Sequence, residues 1–350
     1  MKVGVLGTGR VDLVDRPEPA IGTGELLVEL AACGICGTDL EKLRGNYRTA
    51  GVLGHEPVGS VVAVGEGLAT FRPGERVFVH HHVPCSTCLV CRRGDFTFCP
   101  EYSRTNLDPG GFSERFRVSA EHLRKGAALR LHPSVSWEVG ALLEPAGCAL
   151  TALRAVGLPA GASVFVLGFG PVGLLYARLL RSLGAGFIGG SEVSALRRRA
   201  AERGGVDAVV DPRDPEEARR VVRSATGGAG VDLVVVATGA SAAVELALDL
   251  PRRGGVVNLF GLPEAGSRLP IDLQQLYLRG LRVIPTYATT ERDVADLHAL
   301  VAGGRLKLED LVTHRFPLAR IGEAFSMAGK PEEALKVVVT GPAFAPALPS

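Results

Sequence analysis

The sequence predicts an α/β protein with two domains, one rich in short strands and one built on a doubly wound parallel sheet. The chain has 350 residues, more than one ordinary hydrophobic core accommodates. Its first part contains short runs of alternating apolar and polar residues interrupted by Pro and Gly, which are typical of antiparallel strands. From Ser163 onward apolar strands alternate with helical patterns, as in parallel β–α–β units.

The composition favours a globular enzyme over a nucleic-acid-binding or membrane protein. Hydrophobic residues make up 46% and charged residues 22% of the chain, which is ordinary for a globular domain. The formal net charge is +2 with no basic run, so neither a nucleic-acid groove nor a basic membrane patch is indicated. No apolar stretch reaches about eighteen residues, and the start lacks a signal-peptide pattern. We therefore expect a cytoplasmic protein with reduced thiols.

The N-terminal residues contain a turn that only imitates a nucleotide-binding motif. Gly7-Thr8-Gly9 follows the apolar run Val3–Leu6, but Asp12 stands where a third glycine belongs and no apolar helix follows. We predict a β-hairpin here.

The remaining elements follow from periodicity and turn residues. In the first part we predict a strand ending near Cys33, a short helix after Cys36, a strand Phe112–Val118 and a helical region 134–156. In the second part we predict strands at Val164–Leu167, Gly186–Glu192, Ala208–Val210, Val231–Val236, Val256–Leu259 and Gly280–Pro285, and helices at Leu174–Leu183 and Glu291–Ala302. Residues 312–340 return to strands and turns.

A cysteine-rich segment, about residues 83–103, is predicted to bind a metal ion. Its four thiols are Cys85, Cys88, Cys91 and Cys99. Closely spaced cysteines of this kind let one short segment surround a tetrahedral Zn²⁺ with four thiolates. Disulfides or scattered core thiols are the alternative, but disulfides suit a secreted protein. Because four thiolates leave no open coordination position, this zinc would be structural.

A glycine-rich turn in the second part has the form of a dinucleotide-binding site. Gly168, Gly170 and Gly173 lie between an apolar strand and an apolar helix, which is the context the fingerprint requires. Their roles would be a tight turn, close approach to a pyrophosphate, and helix packing. Pro171 and Val172 lie between the last two glycines, and we include them among the cofactor-binding residues.

An acidic residue at the end of the next strand indicates the preferred cofactor. Glu192 lies about twenty positions beyond the turn, where a carboxylate accepts hydrogen bonds from the adenosine ribose and repels a 2′-phosphate. This favours NAD. The arginines at 197–199 leave NADP as the alternative, and Arg197 could also pack against the adenine.

A second set of metal-ligand residue types lies outside the cysteine-rich segment. Cys36, His55, Glu56 and Glu144 fall in turns or at helix starts. Thiolate, imidazole and carboxylate form the mixed ligand set of a catalytic zinc, which keeps one position open. Taken singly, such residues are more often ordinary polar or small apolar groups, so spacing alone leaves both interpretations open.

From about residue 2 to residue 340 the chain resembles the zinc-dependent medium-chain dehydrogenase/reductase superfamily. The matching motifs are Cys33-Gly34-Ile35-Cys36-Gly37-Thr38-Asp39, Gly54-His55-Glu56-x-x-Gly59 with Gly65, the four-cysteine segment, Gly111-Phe112-x-Glu114, and Gly168-x-Gly170-x-x-Gly173. The resemblance implies a GroES-like catalytic domain (1–149 and 290–350), a Rossmann domain (150–289) and a catalytic zinc in the cleft between them. It also implies a homodimer or homotetramer.

The resemblance also implies roles for individual residues. Cys36, His55 and Glu144 correspond to zinc ligands, Glu56 to a carboxylate that exchanges with water on the metal, and Thr38 to the hydroxyl that passes the substrate proton outward. The implied reaction is oxidation of an alcohol that zinc has made acidic, with hydride transfer to the nicotinamide. We expect His80–His82 to serve as a loop, with substrate contact by one of them as the alternative.

The substrate class is indicated by the residues around the implied zinc. Glu144-Pro145 is similar to the polyol branch (sorbitol, butanediol), and the L-threonine branch is close. Both branches usually carry His where this chain has Glu41. We therefore expect oxidation of a secondary alcohol in a polyol, sugar or hydroxy-amino-acid with NAD. An NADP-linked aldose or alcohol dehydrogenase is one alternative, and a non-catalytic NAD(H)-sensing protein with structural zinc only is another.

Overall fold

The computed structural model describes residues 1–46, 53–263, 266–268 and 271–344. The chain divides into two compact units. The first contains Met1–Gly147, Thr289–Lys330 and the chain from Lys336 onward, and the second contains Cys148–Ala288 with Pro331–Leu335. The predicted second segment of the GroES-like domain (290–350) includes residues 345–350, which lie outside the described ranges. None of the helices in those ranges has the length and apolar character needed to cross a bilayer.

The first unit is built on a seven-stranded sheet. Its strands are β3 (Leu26–Gly34), β4 (Pro57–Val64), β5 (Arg76–Val79), β6 (Arg115–Val118), β7 (Ala128–Arg130), β14 (Val312–Pro317) and β15 (Lys336–Thr340). They run in the order β14-β15-β3-β4-β5-β7, with β6 also paired to β3. The strands β1 (Lys2–Leu6) and β2 (Val11–Asp15) form a separate antiparallel pair, which confirms the predicted hairpin.

Short helices connect the strands of this unit. They are α1 (Gly37–Leu43), α2 (Leu89–Arg92), α3 (Ala120–Arg124), α4 (Trp137–Gly140), α11 (Glu291–Ala302) and α12 (Ile321–Ala328). The helix α5 (Leu143–Val156) begins in the first unit and ends in the second. The strands β3 and β4 pair antiparallel with Cys33 opposite Pro57. This register brings the residues that follow β3 beside those that precede β4.

The second unit is a six-stranded parallel sheet with helices between successive strands. The strands are β8 (Ser163–Leu167), β9 (Phe187–Ser191), β10 (Ala208–Val210), β11 (Val231–Val236), β12 (Pro251–Leu259) and β13 (Arg282–Pro285). The helices are α6 (Pro171–Ser182), α7 (Ala195–Arg203), α8 (Pro215–Ala225), α9 (Ser241–Asp249) and α10 (Leu273–Arg279). The order β10-β9-β8-β11-β12-β13 reverses direction after β8, which confirms the predicted doubly wound sheet. In such sheets ligands bind at the point of reversal.

Two predicted boundaries in the first unit are wrong. The helical region 134–156 is two helices, α4 and α5, because Pro145 has no N–H to donate to Ala141 and is tolerated only in the first turn of a helix. The strand expected from Phe112 begins at Arg115. The residues before it pair with β1 through isolated bonds instead of continuing β6, since Gly4 N donates to Phe112 O (2.7 Å) and Glu114 N donates to Lys2 O (3.0 Å).

Candidate metal centre and cofactor turn

The paired ends of β3 and β4 bring three predicted ligands together. Cys36 is the N-cap of α1, directly after β3, and His55 and Glu56 directly precede β4. The ligand atoms of these three residues all lie within 4.8 Å of one another. Glu56 is buried and the His55 side chain is 12% exposed. The fold thus assembles a thiol, an imidazole and a carboxyl group at one place.

The buried carboxylate of Asp39 lies beside His55 and Cys36. Asp39 Oδ1 lies 3.4 Å from His55 Nδ1, and Asp39 Oδ2 accepts a 3.1 Å hydrogen bond from the Cys36 backbone N–H. Burial alone would lower the pKa of His55, but the charges of Asp39 and Cys36 outweigh it and raise that pKa well above its usual value. The site therefore stabilises a positive charge on or beside the imidazole.

The carboxylate of Glu56 is paired with a buried lysine. Lys336 Nζ donates to Glu56 Oε1 at 2.8 Å and lies 2.6 Å from Oε2. Lys336 is only 2% exposed, at the start of β15. Burial by itself would lower the pKa of Lys336, but Glu56 and Cys36 hold it above its usual value. Burial raises the pKa of Glu56, and the charge of Lys336 opposes that rise, so the geometry is that of a buried ion pair.

Glu144 falls in a neighbouring group rather than with Cys36 and His55. Its ligand atom lies within 4.8 Å of those of His80 and His81. Glu144 is 5% exposed and lies in the first turn of α5. The two groups adjoin, since the rings of His55 and His81 have centroids 5.1 Å apart. Glu144 also acts electrostatically on Glu56.

Two other residues named from sequence lie on α1. Thr38 Oγ1 is 3.6 Å from Cys36 Sγ, so its hydroxyl is at the edge of the candidate centre. Glu41 accepts hydrogen bonds from Arg44 (2.5 Å) and Asn46 (2.8 Å). Glu41 is therefore bonded to residues that directly follow its own helix.

The four-cysteine segment folds around its sulfur atoms. The ligand atoms of Cys85, Cys88, Cys91 and Cys99 lie within 4.8 Å of one another, and all four are free thiols. Backbone N–H groups point at the sulfurs, including Cys85 N to Cys99 Sγ and Cys88 N to Cys85 Sγ, both 3.3 Å. Hydrogen bonds from Thr87 and from the Cys88 N–H lower the pKa of Cys85 to about 6. Burial raises the pKa of Cys91 to about 12, but the N–H groups directed at the sulfurs suit thiolates, the form that binds Zn²⁺.

The glycine-rich turn lies between β8 and α6, at the predicted place. Gly168 has a φ of +94°, and Gly170 is the N-cap of α6 with Pro171 at its first position. A Cβ on Gly173 would lie 1.9 Å from Gly168 O, so only glycine lets the helix approach the turn. A Cβ on Gly170 would have its nearest neighbour at 3.7 Å. That space above Gly170 suits a pyrophosphate at the N-terminus of the helix.

Glu192 and Arg197 lie beside this turn. Glu192 accepts hydrogen bonds from Phe169 N (2.8 Å) and Ser194 N (2.9 Å), one on each carboxylate oxygen. A carboxylate offers about four acceptor positions, so two remain for ribose hydroxyls. The guanidinium of Arg197 is close to Gly170 and to the charges of Glu192 and Glu332. Its Nε is buried without a hydrogen-bond partner among the described residues.

Sequence reasoning gave no role to Asp39 or Lys336. Asp39 is part of the Cys33–Asp39 motif, three residues after Cys36, so its place beside the centre could have been read from that spacing. Lys336 opens the strand Lys-Val-Val-Val-Thr, where a lone lysine in an apolar run requires a buried acidic partner. The sequence does not say that this partner is Glu56, which is 280 residues away.

Comparison with known proteins defines the class of this chain. Residues 22–127 match the alcohol dehydrogenase GroES-like domain, and residues 171–303 match the zinc-binding dehydrogenase family. The fold and these matches define an oxidoreductase of the alcohol dehydrogenase type.

Relatives that match over more than nine-tenths of the chain are named as dehydrogenases too. The chain is 31% identical to sorbitol dehydrogenase of Gallus gallus, covering 95% of this chain and 93% of that protein. It is 33% identical to L-threonine 3-dehydrogenase of Pyrococcus abyssi, covering 91% of each. It also matches the structure of a zinc-binding dehydrogenase from Sinorhizobium meliloti 1021 bound to NADP, at 31% identity, a TM-score of 0.83, and 97% and 98% coverage. The chain belongs to the zinc-dependent medium-chain dehydrogenase/reductase superfamily, and the expected GroES-like and Rossmann folds are confirmed.

Proposed function

We propose that this protein oxidises a secondary alcohol of a polyol, sugar or hydroxy-amino-acid and transfers the hydride to NAD, using a zinc ion at the candidate centre. The observation that carries this proposal is the convergence of Cys36, His55 and Glu56 at the paired ends of β3 and β4, with Glu144 in the adjoining group. Thiolate, imidazole and carboxylate together are the ligand types of a catalytic zinc.

The residues present fit such an ion. Cys36, His55 and Glu144 would hold it. Glu56 would bind it only in exchange with water, because Lys336 already neutralises the charge of Glu56. The negative charges of Asp39 and Cys36 beside His55 support the same conclusion, since they favour a metal cation there. When bound, Zn²⁺ polarises an alcohol oxygen and lowers its pKa towards neutrality.

The chain's own residues would orient the ligands and move the proton. Asp39 faces Nδ1 of His55, which leaves Nε2 to face the metal and fixes the ring, as carboxylates behind ligating histidines do. Thr38, at 3.6 Å from Cys36 Sγ, would accept the substrate hydroxyl proton and pass it outward. The second zinc would occupy the four-cysteine segment as a structural ion, and we expect a homodimer or homotetramer.

The cofactor proposal depends on the turn after β8. Gly168, Gly170 and Gly173, with Pro171 and Val172, would bind the pyrophosphate, and the free acceptor positions of Glu192 would bind the adenosine ribose. The Nε of Arg197 is buried and has no partner in the described ranges, which supports NADP as the second candidate, because an arginine beside Glu192 could hold a 2′-phosphate. The relative from Sinorhizobium meliloti is bound to NADP.

A substrate panel tests this proposal. Polyols, sugars and L-threonine are assayed with NAD⁺ and with NADP⁺ by the absorbance of the reduced cofactor. We expect turnover of at least one secondary alcohol, with a higher kcat/KM for NAD⁺. Bound cofactor with no turnover of any alcohol, and only one zinc per chain, would instead support the NAD(H)-sensing alternative.

A further inference from the structure

His81 is a buried imidazole that the proposed function does not use. The residue is 9% exposed, and its Nδ1 has no hydrogen-bond partner among the described residues. A buried polar atom left unpaired costs about 1–3 kcal/mol. The backbone beneath it is fixed, since His122 Nε2 bonds to His81 O at 3.0 Å. Within the described part of the chain, His81 thus keeps a fixed backbone position and a ring nitrogen without a partner inside the protein.

The neighbours of His81 are metal-ligand groups. Its ligand atom lies within 4.8 Å of those of His80 and Glu144. Of these, His80 is already engaged at both nitrogens, with Glu291 at Nδ1 (3.0 Å) and the Tyr102 hydroxyl at Nε2 (3.4 Å). Among the described residues, His81 is therefore the histidine of this group whose Nδ1 has no hydrogen-bond partner.

The ring of His81 also adjoins the first group. Its centroid is 5.1 Å from that of His55. A single ion between the two groups would have the thiolate of Cys36, the imidazoles of His55 and His81, and the carboxylate of Glu144 around it. The thiolate and carboxylate neutralise a divalent ion, and Glu56 is already neutralised by Lys336.

We propose that His81 is a fourth protein ligand of the metal ion at the candidate centre, so that the ion is held by Cys36, His55, His81 and Glu144. This rests on the proposed function only for the presence of the ion. Catalytic zinc sites with three protein ligands keep one position open. In the resting protein His81 would fill that position, so a substrate alcohol would have to displace it.

The test uses cobalt at the centre and zinc in the four-cysteine segment, so that X-ray absorption at the cobalt edge reports one site. The wild-type protein is predicted to show two imidazole ligands per cobalt. A single imidazole would overturn the assignment of His81 and leave the proposed function standing. Failure of the protein to bind cobalt outside the cysteine segment, or cobalt binding unchanged in Cys36→Ser, would overturn both.

Variants give a second readout. His81→Phe keeps a ring of similar size and should change the visible spectrum of the cobalt protein and weaken metal binding on the order of 100-fold or more, since even an outer contact to a ligand is worth 10–100-fold. His81→Cys should add a sulfur-to-cobalt charge-transfer band. His132→Gln, which removes an exposed imidazole, is the control and should match the wild type. A wild-type spectrum and affinity in His81→Phe would refute the proposal.

Discussion

Lys336→Met tests whether the carboxylate beside the candidate centre is held as a buried charge. Lys336 and Glu56 are 2% and 0% exposed with Nζ 2.8 Å from Oε1, so water screens their attraction little. At an effective dielectric constant of about 20, that separation corresponds to about 6 kcal/mol of attraction, partly offset by the desolvation of both groups. Removing one partner of such a pair costs about 3–5 kcal/mol, because the other charge stays buried.

The single tryptophan of the chain provides the assay. Trp137 is buried in α4 of the first unit, so its fluorescence during urea unfolding reports that unit alone. In metal-free protein we expect Lys336→Met to lower the unfolding free energy by about 3–5 kcal/mol. Added Zn²⁺ should stabilise this variant more than the wild type, because the cation replaces the lost positive charge near Glu56.

Two further variants control this experiment. Glu56→Gln combined with Lys336→Met leaves no buried charge of the pair and should recover most of the lost stability. Lys307→Met removes an exposed lysine of the same unit and should change stability by about 0.5 kcal/mol or less. If Lys336→Met unfolds like Lys307→Met, the pair is not desolvated and our electrostatic account of the site is wrong.

Three other predictions concern the cofactor turn, the cysteine segment and the catalytic ligands. Gly173→Ala should lower the free energy of unfolding by about 1–3 kcal/mol, because its Cβ would lie 1.9 Å from a backbone oxygen. Gly170→Ala should fold normally but bind NAD⁺ more weakly. Equal stability of the two variants would contradict the argument that Gly173 is needed for helix packing. Cys88→Ser should lower Tm by several degrees and release one zinc while turnover per folded chain persists; an unchanged melting curve would argue against a structural ion. Cys36→Ser and His55→Ala should each reduce kcat by ~100-fold or more. Both should still bind NAD⁺, as measured by titration of cofactor fluorescence. Near-normal turnover in either variant would show that zinc takes no part in the reaction.

Local patterns were enough to predict the elements whose contacts are close in sequence. The turn at Gly168–Gly173 was predicted because each glycine acts on its immediate neighbours, and the cysteine segment because its thiols are three to eight residues apart. The doubly wound sheet was predicted from the alternation of apolar strands and helical patterns after Ser163. The division of the 134–156 region into two helices was missed, although Pro145 marks it, because apolar periodicity continues across the break.

The candidate centre could be predicted as a ligand set but not as a geometry. Cys36 and His55 meet because β3 and β4 pair in one register, and the sequence does not encode that register in any short pattern. Lys336 reaches Glu56 from the far end of the chain through β15. His81 was expected to lie in a loop, because only the packed structure reveals that its Nδ1 is buried without a partner among the residues that the structure describes.

The zinc content of purified protein tests the central claim most directly. If Cys36, His55 and Glu144 hold a catalytic ion, the wild type should contain two zinc ions per chain, and Cys36→Ser should contain one, with the cysteine segment intact. One zinc per chain in the wild type, unchanged in Cys36→Ser and lost in Cys88→Ser, would show that the cysteine segment binds the only ion and would contradict the account.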